Sequence, residues 1–526
     1  MTAPFDVAGV IRGPDGIKRY ERLPASLLDM LREGVGRHPD REALVETGGG
    51  PRLSYAALWD RAARVAGGLR TAGVGRGDRV AIRLGNGVDW VLAFFGTVLA
   101  GGVVVPVNTR LTEDEAGYVV TDSGAAFVVA AGRPLPDGEP YVAEDPEPDD
   151  PAAIFYTSGT TGFPKGAVTT NANFLSNCET CGRILGQDRG SQSRTLVSVP
   201  LFHVTGCNSQ LLFEIYLGGT TVIMPQFEVG AFLAAIQTER IDVLTTVPAI
   251  YWMAINRPQF AETDVSSVRT LSYGGAPIAP ELVTRIMKAF PQARVGNGFG
   301  LTETSSVATY LPHEYAEHAD SVGFPAPVCD LRIDQPGHDG VGELLIRGPN
   351  VVAGYWNKPD ATAATFVDGW LHSGDLARID ADGLVYIVDR AKDMINRGGE
   401  NVYCVEVENA LAGAPAVFEA AVVGVPDEVM GEKVGAVLVP APGGRIDVPA
   451  VLSYLEERDR RLQGPPVCCR PHRPAPPQPR RQAAQAPASR RDRLGAADPV
   501  AQVTRPFGRS LDAHLIAGSS CPDSSH

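Results

Sequence analysis

One stretch of the sequence has residue types and spacing suited to gripping phosphate: residues 156–166, YTSGTTGFPKG. It follows the apolar run AAIFY, so it falls at the end of an expected strand, where α/β proteins carry ligand loops. Gly159, Gly162 and Gly166 are expected to let the backbone take positive φ and approach a phosphate closely. Ser158, Thr160 and Thr161 supply hydroxyl donors, and Lys165 adds a compact positive charge for phosphate oxygens. The order differs from G-x-x-x-x-G-K-[ST], so the loop is not of the kind that opens a helix.

Four further segments carry chemistry. In NGFGLTET (residues 297–304), Phe299 sits between Gly298 and Gly300, and Thr302 and Glu303 come next. That sets small residues beside a flat ring and an acid where a cation on phosphate would find it; Mg²⁺ favours a few carboxylates plus phosphate oxygens. SYGGAP (272–277) ends an expected strand, and its glycines would let a flat ring and an acyl chain lie against backbone. Asp375 stands in HSGDLARIDADG, where a carboxylate could accept two hydroxyl donors at once. His203, in PLFHVTG, stands among apolar residues.

In these motifs and their order, over about residues 27–458, the chain resembles the adenylate-forming (AMP-binding) superfamily, in its acyl-CoA synthetase and fatty-acid–CoA ligase type. The resemblance implies ATP, Mg²⁺ and CoA as cofactors and co-substrates, a small carboxylic acid as substrate, and an acyl-AMP intermediate. It assigns Thr157, Ser158, Gly159, Thr160, Thr161, Gly162 and Lys165 to the β- and γ-phosphates. Thr302 falls on the α-phosphate, and Glu303 with Thr160 on the metal. Gly274, Gly275, Ala276, Asn297, Gly298, Phe299 and Gly300 fall around adenine, and Asp375 and Arg390 on the ribose and phosphate. His203, Val204, Thr205, Ser272, Tyr273, Gly274 and Val307 would line the acyl pocket. Lys392 would be the hinge of a small mobile domain, and Gly398, Gly399 and Glu400 the wall of a pantetheine tunnel. Lys165, Thr302 and Glu303 would carry the first half-reaction. A mostly apolar acyl pocket suits a medium- or long-chain fatty acid, with an aryl-propenoic acid next and a carrier-protein thiol as the alternative acceptor.

The elements that must position these residues alternate between strand and helix. LSYAALWDRAARVAGGLRTAGV reads as a strand entry and an amphipathic helix, DRVAIRL as a buried strand, and WVLAFFGTVLAG then VVVPV as helix and strand. LVSVP, TTVIM, VLTTV and TLSYGG repeat the pattern. The expected class is α/β: a large N-terminal domain of layered α/β subdomains, residues 1–388, and a small mobile α+β domain, 389–460. At 526 residues more than one domain is required. The net charge of −14 argues against a general affinity for nucleic acid or anionic membrane. Residues 91–107 are apolar but broken by Gly96, Gly101, Gly102 and Pro106, which fits a buried helix and strand better than a membrane span. Scattered cysteines and no evident leader point to the cytoplasm. Cys178 and Cys181 form a single CxxC without a second ligand pair.

Composition changes after Leu462. Residues 461–526 hold 11 Pro and 10 Arg but no Lys, no Glu and one aromatic, Phe507. Such a tail buries little and is expected to be disordered. Members of the superfamily carry a catalytic lysine near the C-terminus, whereas no lysine comes after Lys433 here. A shifted reading frame near Arg460 in GC-rich DNA would account for the change, and the exact chain is then expected to adenylate slowly.

Overall fold

The computed structural model of the chain describes residues 4–144, 146–157, 163–276, 278–397, 400–414, 416–427, 430–441, 444–458 and 467–471. The backbone divides into two compact units. One comprises Met1–Ser373 with Arg378–Tyr386, the other Gly374–Ala377 with everything from Ile387.

The first unit includes two sheets made mainly of parallel strands. A nine-stranded sheet runs in the order Phe324–Pro325, Thr309–Leu311, Arg294–Phe299, Thr270–Gly274, Val243–Thr246, Arg194–Val197, Thr220–Ile223, Glu42–Glu46, Arg52–Ser54. Its six central strands are parallel and its margins antiparallel. A five-stranded sheet runs Phe127–Ala130, Arg79–Arg83, Val103–Pro106, Pro151–Thr157, Lys165–Thr170. It is parallel except for the last pair. Strands such as Val103–Pro106 and Thr220–Ile223 are buried along their whole length, as parallel strands covered on both faces must be.

Helices cover these strands, and their starts are written locally. Ser26, Ser54, Thr112 and Thr170 cap helices Leu27–Arg37, Tyr55–Thr71, Glu113–Ser123 and Asn171–Leu185 by accepting from backbone N–H groups three residues on. The helix Val88–Leu99 is apolar nearly all round and buried except at Asp89, so it packs on several sides at once. No helix among the described residues is long and apolar enough to cross a membrane. Cys178 and Cys181 are buried thiols on Asn171–Leu185, packed in the main core.

One helix departs from the expected pattern. After Arg194–Val197 the chain enters a short helix, Val204–Gly206, which opens into a π-helix, Cys207–Leu212, before Phe213–Leu217. Asn208, Ser209 and Gln210 are buried inside this wide turn. The Gln210 amide donates to the carbonyls of Leu196 and Thr245, and the Asn208 amide to that of Ser305. A helix wound to i→i+5 commonly marks a functional region.

The second unit holds the antiparallel strands Ile395–Arg397, Glu400–Val402, Val417–Asp427 and Gly431–Pro440, with helices Cys404–Ala412 and Val448–Arg458. Ile395, Cys404, Leu411, Val422, Val434, Ala436, Leu438 and Val451 form its core. Residues 467–471 depart from the disorder expected of the tail. Val467–Pro471 is a strand lying parallel to Gly431–Pro440, whose edge offers unpaired backbone groups to a β-forming Val-Cys-Cys run. The rest of 461–526 lies outside the described residues.

Candidate active site

The loop expected to hold phosphate joins two antiparallel strands, Pro151–Thr157 and Lys165–Thr170, with Thr157 opposite Lys165 and Tyr156 opposite Gly166. Lys165 is therefore the first residue of the returning strand. Ser158, Gly159, Thr160, Thr161 and Gly162 lie outside the described residues. Gly166 corrects the expectation of positive φ. It is an ordinary strand residue, and a Cβ there would meet Ile154 Cγ2 at 2.5 Å and the Tyr156 ring at 3.0 Å. Close packing, not a left-handed turn, excludes a side chain at this position.

Both stems of the loop are tied down by nearby side chains. Tyr156 Oη donates to Asp122 Oδ2 at 2.8 Å, and Lys358 Nζ donates to Asp122 Oδ1 at 2.7 Å. On the far stem, Tyr118 Oη donates to the Pro164 carbonyl at 3.3 Å, and the Tyr118 ring stacks on Phe163 at 4.8 Å between centroids. Lys358 and Tyr156 hold the Asp122 carboxyl below the usual carboxylate range although burial pushes it the other way.

SYGGAP and NGFGLTET are brought side by side. Tyr273 pairs with Asn297 and Gly274 with Gly298 at the C-terminal ends of two parallel strands. A Cβ on Gly274 would collide with the Gly298 carbonyl oxygen, so the two backbones approach as only glycine permits. Gly275 has φ +74°. The Asn297 amide donates to the Ser321 carbonyl at 3.0 Å, and Ser272 Oγ lies 3.0 Å from Tyr310 Oη. Ala276 comes directly after Gly275, and Phe299 is half-buried at its strand's end.

Thr302–Thr304 forms a single 3₁₀ turn immediately beyond that strand. Ser305 and Ser306 then take φ of +52° and +112°, a left-handed path that side chains seldom adopt. Gly300 makes it possible, for a Cβ there would overlap the Ser306 carbonyl. Asn350 Nδ2 ties the turn down through the carbonyls of Thr304 (3.1 Å) and Val307 (3.0 Å).

Lys165 and Glu303, far apart in sequence, meet at Tyr355. Tyr355 Oη donates to Glu303 Oε1 at 2.7 Å, and Lys165 Nζ lies 5.2 Å from the centroid of the same ring. Burial, reinforced by the Glu303 charge, pushes the phenol's pKa up and keeps it protonated as a donor. Sequence reasoning missed Tyr355, as it missed Asp122, Tyr118 and Lys358. GYWNKP shows no spacing of chemical groups that would have singled it out.

Glu303 fits a metal that arrives on phosphate. Its Oε1 receives the Tyr355 hydroxyl, a neutral donor that leaves the carboxylate its charge. Among the described residues no three His, Cys, Asp or Glu side chains gather into a cage. One carboxylate plus phosphate oxygens is a donor set suited to Mg²⁺.

His203 immediately precedes the helix Val204–Gly206, makes no capping hydrogen bond with its side chain, and packs its ring against Phe202, with centroids 4.7 Å apart. Its side chain is solvent-exposed, yet the pKa is lowered to about 4, mainly by desolvation and then by Arg110. Val204 is buried, and Thr205 and Val307 are partly so.

In the second unit, Arg390 Nε and Asp375 Oδ1 form an ion pair at 2.7 Å, with Asp375 only 2% exposed. Gly374, with φ +72°, precedes it and accepts from Ala391 N at 3.0 Å. Lys392 is exposed. Gly398 and Gly399 lie outside the described residues, between paired Arg397 and Glu400.

Comparison with known proteins identifies the family. The AMP-binding enzyme family matches residues 31–356, and the AMP-binding enzyme C-terminal domain matches residues 406–469. Feruloyl-CoA synthase of an Amycolatopsis species is 40% identical over 82% of this chain and 93% of its own length. Long-chain-fatty-acid–CoA ligase FadD13 of Mycobacterium tuberculosis is 35% identical over 83% of this chain and 92% of its own. Among solved structures, o-succinylbenzoate CoA synthetase of Bacillus subtilis, with its acyl-adenylate intermediate, superposes with a TM-score of 0.75 at 29% identity. That match covers 84% of this chain and 94% of the other. The chain belongs to the AMP-binding enzyme family, the adenylate-forming superfamily. It is an acid–CoA ligase of that superfamily, with ATP, Mg²⁺ and CoA as its cofactors and co-substrates.

Proposed function

We propose that the chain activates an apolar carboxylic acid as an acyl-adenylate and passes the acyl group to CoA. The observation that carries this reading is the meeting of Lys165 and Glu303 at Tyr355. A cation and a carboxylate there share one tyrosine, the lysine at its ring face and the acid at its hydroxyl.

In the first half-reaction the acid's carboxylate attacks the α-phosphate and pyrophosphate leaves. Lys165, Thr302 and the loop hydroxyls orient the phosphates and meet the charge that develops on their oxygens. Mg²⁺, held by Glu303 and Thr160, supplies charge neutralisation when bound. Asp375 accepts the ribose hydroxyls, and Phe299 and the glycines around it receive adenine. In the second half-reaction a thiol attacks the acyl carbonyl and AMP leaves. Gly398, Gly399 and Glu400 border the path of the pantetheine, and Lys392 is the hinge.

The relative named feruloyl-CoA synthase favours an aryl-propenoic acid. The relative named as a long-chain-fatty-acid ligase supports the second reading, a medium- or long-chain fatty acid. CoA is favoured over a carrier-protein thiol because these relatives are named as CoA enzymes. The setting is the cytoplasm. With no lysine after Lys433, adenylation by this chain is slow.

Pyrophosphate and AMP release, measured over a panel of aryl-propenoic and medium- to long-chain fatty acids with CoA or a holo-carrier protein as acceptor, tests the reading. Acid-dependent AMP release with CoA is the expected result. Nucleotide binding without acid-dependent turnover of either ATP or supplied acyl-AMP would make the protein a binding protein instead.

A further inference from the structure

We propose that Tyr355 is a positioning residue that keeps Lys165 and Glu303 apart and aimed, so that both remain available to the metal–nucleotide. The inference rests on the proposed function, in which Lys165 serves the phosphates and Glu303 the metal.

Opposite charges gathered at one side chain are drawn to pair with each other, and a direct pair would disable both. An ammonium bound to a carboxylate is not bound to phosphate, and a carboxylate carrying an ammonium is a poorer ligand for Mg²⁺. A tyrosine can receive each separately. Its ring face attracts a cation, and its in-plane hydroxyl donates to an anion. Both contacts are present, at 5.2 Å from Lys165 Nζ to the ring centroid and 2.7 Å from Oη to Glu303 Oε1.

The backbone around Tyr355 is held from both sides of the site. Val352 N donates to the Glu303 carbonyl at 2.9 Å, and Trp356 N to the Gly166 carbonyl at 2.7 Å. Val168 N donates to the Gly354 carbonyl at 3.1 Å, and Tyr355 forms an isolated bridge with Ala167. Thr362 Oγ1 accepts from Tyr355 N at 3.0 Å, and Phe366 packs edge-on against the ring with centroids 5.6 Å apart. Residues 352–356 thus stitch the strand that begins at Lys165 to the turn that carries Glu303.

Calorimetric titration of the full-length chain with ATP, with and without Mg²⁺, tests this. Tyr355→Phe keeps the ring and removes the donor. The Mg²⁺-dependent gain in ATP affinity is expected to fall about tenfold, while metal-free ATP binding changes by less than about twofold. Tyr355→Leu, which also removes the ring, is expected to weaken metal-free binding as well. Because the hydroxyl acts through Glu303, Tyr355→Phe should have no further effect on Mg²⁺ dependence in a Glu303→Gln background. Multiplicative losses in the double variant, or an unchanged Mg²⁺ gain in Tyr355→Phe beside a lost one in Glu303→Gln, would overturn the positioning role and leave the role of Glu303 standing. An unchanged Mg²⁺ gain in Glu303→Gln would remove both.

Discussion

Arg390 and Asp375 form an ion pair in which the acid is almost wholly buried and the guanidinium half-exposed. The pair joins the strand Trp370–Ile379 to the end of Val385–Arg390, within the second unit. Asp375 is therefore held by protein charge before any ribose reaches it. Arg390→Gln removes a charged partner from a carboxylate with little access to water, and the expected loss of stability is about 1–3 kcal/mol. Urea denaturation of the two proteins measures it. Asp375→Asn keeps the shape and should instead show its main loss, about tenfold or more, in ATP affinity.

Lys165 offers the opposite case, a cation set over a ring face. Its contribution to stability through that ring is about 0.5–1 kcal/mol, so Lys165→Met should fold with a nearly unchanged denaturation midpoint. ATP affinity should drop by more than about tenfold, since a charge-assisted contact with phosphate is lost. Calorimetry at fixed salt reads both variants. Retained ATP affinity would mean the loop holds something else.

Glu214 gives the fold a pH dependence of known sign. It is fully buried on Phe213–Leu217, its Oε1 receives the Ser193 hydroxyl, and burial raises its pKa from 4.5 to about 8. Between those values the folded chain keeps a proton that the unfolded chain releases. This contribution is full below about pH 4.5 and is lost, at about 1.4 kcal/mol per pH unit, as pH rises towards 8. Glu214→Gln lacks that loss, so its stability relative to the parent should improve between about pH 5 and about pH 7.5. An equal difference at both pH values would show that Glu214 is ionised in the folded protein.

Gly300→Ala asks whether the left-handed Ser305–Ser306 path matters. The new methyl would occupy the space of the Ser306 carbonyl, so the backbone itself must move. Destabilisation of several kcal/mol at the turn is expected, at the upper end for single substitutions. ATP binding should be lost with it. A variant with normal ATP affinity would mean the turn can be rebuilt without harm.

Adenylation should be the slow half-reaction. ATP–pyrophosphate exchange is expected to run well below the rate at which supplied acyl-AMP is converted to thioester. Exchange at the faster rate would show that the absent C-terminal lysine is not needed in this chain.

Much of the first unit was legible because its strands are short apolar runs set between amphipathic helices. The runs in DRVAIRL, VVVPV, TTVIM and VLTTV all became parallel strands. The adjacency of Gly274 and Gly298 came from two neighbouring parallel strands that carry glycine at or next to their C-terminal ends. The features that escaped the sequence depend on contacts between distant segments. Tyr355 is an aromatic in an unremarkable loop until strand pairing sets it beside Ala167 and hydrogen bonding beside Glu303. The wide turn at Cys207–Leu212 has no periodic signature, because its polar residues are buried rather than displayed. Gly166 was read for flexibility when the neighbouring Ile154 and Tyr156 decide it by volume.

The π-turn at Cys207–Leu212 sets a constraint on length as well as on side chains. It accommodates about one residue more than a regular helix would over the same rise. Shortening the chain by one residue there would restore ordinary winding and rotate Phe213–Leu217 by about 100° relative to His203. Asn208 and Gln210 would then lose the carbonyls of Ser305, Leu196 and Thr245 together. Within this segment a deletion is expected to be more damaging than a single exchange of side chain, so residue type can vary there while the residue count stays fixed.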